Sequence, residues 1–200
     1  MSKNFLEALK RRRTYYAIKN ESPISDMQIE EIINTAVKYV PSAFNSQSAR
    51  VVLLLGEKHL RMWDIVKEVL HERIGDEAFK STEQKIDSAF RSGYGTVLFY
   101  EDLDDVKALQ EQFPLYAENF PTFSVTSNGM LQLSVWTALE EEGFGASLQH
   151  YNPLIDERLA KEFDIPASWD LKAQMPFGMP AAQPDEKTFK PLEDRIKIFR

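Results

Sequence analysis

Apolar residues recur at helical spacing over Phe5, Leu6, Ala8 and Leu9, with Ser2 placed as an N-cap, and predict a short first helix. Tyr15-Tyr16-Ala17-Ile18 reads as extended, and Pro23 marks a turn. Ser25-x-x-Gln28 has the form of a capping box. Behind it Ile29, Ile32, Ile33, Ala36, Val37 and Val40 keep a helical period up to Pro41. The pattern then changes to an unbroken apolar run, Val51-Val52-Leu53-Leu54-Leu55, closed by Gly56, which predicts a buried strand. Leu60, Trp63, Ile65, Val66, Val69 and Leu70 predict a helix over 57–72, and a weaker stripe predicts another over 76–90. His59 and His71 lie in or beside the first of these, at no metal-pair spacing, and are expected on the solvated surface.

Gly93 and Gly95 bracket a turn before a second strand, Thr96-Val97-Leu98-Phe99-Tyr100. A phosphate loop would lie between a strand and a helix, so Gly93-Tyr94-Gly95 is not a nucleotide fingerprint. Residues 101–112 predict an acidic helix whose carboxylates form a solvated face. Phe113, Pro114, Phe120, Pro121 and Phe123 follow as an aromatic-rich connection. The most apolar helix is predicted over 127–142. Met130, Leu131, Leu133, Val135, Trp136, Ala138 and Leu139 cover more than one of its faces, which predicts burial inside the domain or between subunits. Gly143 closes it. A helix over 154–163 and a strand over 171–175 come next. The tail from 181 has little core of its own. It ends in Ile196-Lys197-Ile198-Phe199, which alternates like an edge strand and is expected to pack on another surface, such as a partner subunit.

The chain has 200 residues, enough for one domain, and is 43% hydrophobic and 12% aromatic, which allows a substantial core. Its net charge of -7 argues against general nucleic-acid binding. There is no cysteine, which excludes disulfides, thiolate metal sites and cysteine nucleophiles. No apolar run approaches the roughly 20 residues of a membrane span, and the N-terminus lacks an apolar signal core. A soluble cytoplasmic protein with no metal is expected.

Several polar or small-residue segments are open to two readings. Lys10-Arg11-Arg12-Arg13-Thr14 either complements a helix dipole or grips a phosphate or a polarised ring oxygen. Ser42, Asn45, Ser46 and Gln47, gathered before the first core strand, either read the edge of a planar polar ring or satisfy their own backbone. Gly143-Phe144-Gly145 either lets the backbone approach a flat ligand or makes a tight helix-to-strand turn. The aromatics of 113–123 are a ligand lid, a subunit contact, or ordinary packing. His150 contacts a ring or is structural.

Taken in order, these motifs resemble the nitroreductase family of FMN-dependent flavoproteins. The resemblance rests on Arg12-Arg13-Thr14 after the first helix, and on Pro41-Ser42-Ala43-Phe44-Asn45-Ser46-Gln47 before the first core strand. Gly143-Phe144-Gly145 after the long helix and a basic tail at Lys187 and Lys190, with Arg195 as another choice, complete it. Tyr15-Tyr16 and Leu148-Gln149-His150-Tyr151 are similar to the fatty-acid-repression-mutant branch. The resemblance spans essentially the whole chain. It implies an α+β, three-layer fold with a central, mainly antiparallel sheet flanked by helices. It implies a single FMN-binding domain over 1–200 and an intertwined homodimer, with the extension from about 181 packing on the partner. It further implies an NAD(P)H oxidoreductase that passes hydride through FMN N5 to nitroaromatic or quinone-like acceptors, with no catalytic side chain. By the same resemblance Arg12, Arg13, Thr14, Ser42, Asn45, Gln47, Leu148, Gln149, Lys187 and Lys190 hold FMN, and Tyr16, Phe44 and Phe123 face the substrate. Two positions depart from many relatives: Tyr16 replaces a basic residue, and Ser48-Ala49 replaces Pro-Trp. Both bear on substrate preference and on the choice between NADH and NADPH. The alternatives from other classes are a flavin-binding regulatory or sequestering protein and a scaffold without flavin.

Overall fold

The computed structural model describes residues 5–200, and Ser2 lies outside the described residues. The first helix, α1 (Phe5–Arg11), is followed by a two-residue strand, β1 (Ile18–Lys19). Helix α2 (Asp26–Tyr39) begins as predicted. The Ser25 side chain accepts from the Gln28 backbone N–H, and the Gln28 side chain accepts from that of Ser25. Strand β2 (Ala49–Leu55) covers the apolar run and two residues before it. It enters α3 (Gly56–Ile86), one continuous element where two helices were expected. The break between them survives as a kink at Gly75, whose φ of 73° and ψ of 170° suit glycine alone. Strand β3 (Gly95–Asp102), α4 (Leu103–Gln112) and α5 (Phe120–Glu141) follow. The chain then forms β4 (Gly145–Ala146), α6 (Asp156–Phe163) and β5 (Trp169–Pro180).

The strands pair antiparallel in the order β1-β5-β3-β2, with β4 also on β5. Alternation along β3 sends Val97 and Phe99 to one face and Leu98 and Tyr100 to the other. One core, with Ile29, Ile33, Leu131, Val135 and Leu139, lies under α2 and α5. The opposite core, with Met62, Trp63, Val66, Val69 and Leu159, lies under α3 and α6. This is the three-layer α+β architecture. Strand β5 serves both cores because its register slips beside Phe99 and Tyr100, which pair with Ala173 and Leu171. The extra residue, Lys172, is a bulge that turns Leu171 and Ala173 to opposite faces. β5 also passes very close to β1: a Cβ on Gly178 would run into the Lys19 carbonyl oxygen.

Four local expectations are corrected. His59 is not solvated; it is 1% exposed. The Trp63 indole N–H donates to Thr96 Oγ1 at 2.9 Å, and Thr96 Oγ1 lies 2.8 Å from His59 Nδ1. His59 Nε2 lies 3.1 Å from the Arg91 carbonyl, so it carries the proton and Nδ1 accepts from the threonine hydroxyl. Burial, the dominant cause, pulls the His59 pKa down to about 4. His71 is exposed as expected and pairs with Asp76 at 2.6 Å. Glu101 belongs to β3, not to an acidic helix face, and is fully buried. Phe120 and Phe123 begin α5 instead of lying in a connection. Residues 196–199 form no strand among the described residues.

Candidate flavin-binding site

Pro41 ends α2, and the chain turns through a short 3-10 segment (Ala43–Asn45) into β2. Phe44, Asn45 and Gln47 all have positive φ, of 55°, 52° and 50°. Asparagine tolerates this region, but the shape costs on the order of 1 kcal/mol or more for a residue such as phenylalanine or glutamine. The loop is therefore held by its surroundings. Asn45 N–H donates to the Ser42 carbonyl at 3.0 Å, and Gln47 N–H to Ser42 Oγ at 3.0 Å. Ala43 N–H donates to Ser127 Oγ on α5 at 3.3 Å. Arg50 donates to the Gln47 carbonyl at 2.7 Å and pairs with Asp102 at 3.1 Å and Asp105 at 2.5 Å. Ser42, Asn45, Gln47, Arg50 and Ser127 line one cleft, of about 230 Å³.

Behind this loop lies a buried polar network. Ser48, 1% exposed, donates to Glu101 Oε2 at 2.6 Å. Asn128 of α5 donates to Glu101 Oε1 at 2.7 Å and to the Tyr100 carbonyl at 3.0 Å. Gln132 donates to Asn128 Oδ1 at 2.7 Å. Burial raises the Glu101 pKa, opposed by the bonds from Ser48 and Asn128. Reading the sequence missed Glu101, Asn128 and Arg50. The available signal was a carboxylate that directly continues a strand apolar on both faces, and an asparagine inside the most apolar helix.

The Arg12 segment lies elsewhere. Tyr15 N–H donates to the Ala146 carbonyl at 2.9 Å, and Thr14 bridges Ala146. The Arg12 guanidinium stands 4.4 Å from the Trp136 ring centroid, and its Nε is buried with no hydrogen-bond partner among the described residues. Burial lowers the Arg12 pKa, and the Glu140 charge works against that. Arg13 donates to the Asp185 carbonyl and so ties down the tail. A second cleft, of about 380 Å³, is lined by Arg13, Thr14, Tyr16, Gln183 and Asp185. Gln149 pairs through its backbone with Gln174, and Leu148 packs against the α2–α5 core. Gly145 is small because the Tyr15 ring fills the space its Cβ would need, while Gly143, at φ 97°, closes α5.

The expected site residues thus fall into two separate groups. Thr14 is in register, through Ala146, Phe177 and Gly95, with the Leu55 end of β2. Ser42, Asn45 and Gln47 precede the Ala49 end, and Ala49 to Leu55 spans roughly 20 Å at about 3.3 Å per residue. Among the described residues, none lines both clefts. Lys187 and Lys190 are exposed on the tail and line neither, as is His150 beyond Gln149. Phe44 sits 5.0 Å from Phe113, 5.2 Å from Phe120 and 6.5 Å from Phe123, measured between ring centroids, yet remains 48% exposed. The aromatics of this region pack on one another and on the loop together. Tyr16 is half exposed on the far side, 6.1 Å from Phe90.

The family model described as the nitroreductase family matches residues 9–179. The nitroreductase FRM2 of Saccharomyces cerevisiae is 39% identical over 198 residues, covering 98% of this chain and 97% of that protein. The structure of the nitroreductase CinD from Lactococcus lactis in complex with nicotinic acid superposes with a TM-score of 0.92 at 44% identity, covering 98% of this chain and all of that one. CinD in complex with 4-nitrophenol gives 0.90 at 43% identity, over 98% of this chain and all of that one. A nitroreductase with bound FMN from Desulfitobacterium hafniense shares the fold, with a TM-score of 0.72 at 16% identity over both full chains. This chain belongs to the nitroreductase family, in its fatty-acid-repression-mutant branch.

Proposed function

We propose that the protein is a homodimeric flavoprotein that binds FMN and uses NADH or NADPH to reduce nitroaromatic and quinone-like acceptors. The division of its polar residues between two distant clefts carries this reading. The loop cleft, at about 230 Å³, falls short of the roughly 300–1,000 Å³ of ordinary small-molecule sites. In a two-fold dimer the loop of one chain meets the Arg12 segment of the other, and the same composite site is built twice. The apolar surface favours such a partner. Val125, Met130 and Leu133 of α5 are exposed, as are Phe189, Leu192, Ile198 and Phe199 of the tail.

The donor set suits FMN. Asn45 and Gln47 offer amide donors and acceptors to a heterocycle edge, and Arg12 has an unused donor and a positive charge. Thr14, Ser42, Leu148 and Gln149 flank these groups, and Arg13, Lys187 and Lys190 supply cations for a phosphate. Phe44, Phe123 and Tyr16 offer rings to a flat acceptor. FMN, when bound, supplies the chemistry: hydride is accepted from the nicotinamide and passed on in a second step. The ligands of the relatives support these classes: nicotinic acid and 4-nitrophenol in CinD, FMN in the Desulfitobacterium protein.

The test is anaerobic. Purified protein loaded with FMN should be yellow, bleach on addition of NADH or NADPH, and regain colour with 4-nitrophenol. Protein that stays colourless after incubation with FMN sinks the proposal. Yellow protein that neither nicotinamide bleaches would be a flavin-binding protein without turnover.

A further inference from the structure

We infer that Glu101 is a positioning residue that straps the loop at 42–47 into the shape that presents Asn45 and Gln47 to the flavin. The ligand half of this inference rests on the proposed FMN site; the strap itself stands on geometry. Glu101 is fully buried, and its carboxylate is shared between two elements. Oε2 receives the hydroxyl of Ser48, the residue that follows the loop, at 2.6 Å. Oε1 receives the amide of Asn128 at 2.7 Å. Asn128 is the neighbour of Ser127, whose hydroxyl accepts the Ala43 N–H at the start of the loop. One carboxylate therefore fixes the exit of the loop directly and aligns the helix that holds its entrance. The Ser46 hydroxyl lies 3.3 Å from that of Ser48, which extends the connection into the loop.

A buried carboxylate is costly unless its oxygens are satisfied, and hydrogen bonds to a charged acceptor are the strong ones. Three residues of positive φ in this loop need such an over-determined setting to stay where they are. An apolar side chain of the same length would fill the volume but leave one Asn128 N–H without its acceptor and the Ser48 hydroxyl with only the longer Ser46 contact. Glutamine would keep an acceptor for Asn128 and offer an N–H to the Ser48 oxygen.

The experiment compares wild type, Glu101→Gln, Glu101→Met and Ser48→Ala. Hydrogen exchange of flavin-free protein reads the loop through the N–H groups of Asn45, Ser46 and Gln47, all hydrogen-bonded within it. Fluorescence titration with FMN reads the site. Glu101→Met should speed exchange at 43–47 by about tenfold or more and weaken FMN binding by about tenfold or more, as expected for stranded buried donors. The amides of α2 should exchange as in wild type. Glu101→Gln should stay within about threefold of wild type in both readouts, which separates hydrogen bonding from volume. Ser48→Ala carries the same test, in the direction of Glu101→Met, should the methionine variant fail to fold. Loop exchange and FMN affinity both near wild type in Glu101→Met and Ser48→Ala would overturn the inference. So would faster loop exchange with unchanged FMN affinity. A wild-type protein that does not bind FMN removes the function proposed above, and the exchange data alone then decide whether Glu101 straps the loop.

Discussion

His59 should make folding stability depend on pH in a window and with a sign that can be worked out. The folded pKa is pulled from the ordinary 6.5 to about 4 by burial. It is therefore a base with a depressed folded pKa, and between these values only the unfolded chain takes up the proton. Its contribution is fully present above about pH 6.5 and is lost as pH falls toward about 4. Between about pH 7 and pH 4.5 the loss should be about 2–3 kcal/mol, at 1.36 kcal/mol per pKa unit. Other groups titrate across the same range. Asp156 and Glu101 have raised pKa values and act with the opposite sign, while Asp64 and Asp102 are lowered and lose stability only in stronger acid. The comparison with His59→Gln removes them. Glutamine can donate to the Arg91 carbonyl and accept from Thr96 without titrating. Urea unfolding of both flavin-free proteins, at one protein concentration and a series of pH values, gives the difference curve. Wild type should lose about 2–3 kcal/mol relative to the variant as pH falls through the window. Curves that stay parallel to within about 0.5 kcal/mol would refute a neutral, buried His59.

Three further outcomes are expected. Asp156 has a buried carboxylate oxygen with no hydrogen-bond partner among the described residues, and burial followed by the Asp170 charge raises its pKa to about 6. A raised folded pKa means stability is lost as pH rises through about 6, so Asp156→Asn should gain about 1–2 kcal/mol at pH 7.5 in chemical unfolding and nothing below about pH 4. Gly178→Ala drives a methyl group into the Lys19 carbonyl and should cost about 2 kcal/mol or more, read as a fall in Tm. Arg12→Ala and Asn45→Ala should each weaken FMN retention by about tenfold or more in equilibrium dialysis, and unchanged retention in both would show the proposed site to be misplaced.

Much of this fold was legible because its elements are locally consistent. The capping box at Ser25, the apolar run before Gly56 and the glycine after α5 each announce a structure that the tertiary contacts then accept. Two of the misreadings share a cause. His59 and Glu101 are polar residues inside apolar patterns, and a one-dimensional rule sends polar residues to the surface. Their partners are distant in sequence: Thr96 for His59, Ser48 and Asn128 for Glu101. Tertiary pairing decides such cases, and periodicity carries no record of it.

The candidate site was legible as motifs but not as a place. Arg12-Arg13-Thr14 and Ser42 to Gln47 stand out in the sequence for their donor chemistry, yet the folded chain holds them at opposite ends of its sheet. A monomer of this shape has a buried arginine nitrogen with no hydrogen-bond partner among the described residues, and apolar side chains on α5 and the tail in contact with water. Each feature is unfavourable for a chain on its own. Both are relieved together if a second copy covers α5 and brings an anionic, edge-polar ligand between the loop and Arg12. The prediction is that dimerisation and FMN binding are coupled: saturating FMN should shift the dimer toward lower dissociation concentrations in sedimentation, because ligand held by both chains stabilises the dimer by mass action. Removing residues 183–200 should weaken the dimer and FMN affinity together. A truncated protein that is monomeric but binds FMN as tightly as the full chain would show that one chain suffices, and the composite site would have to be abandoned.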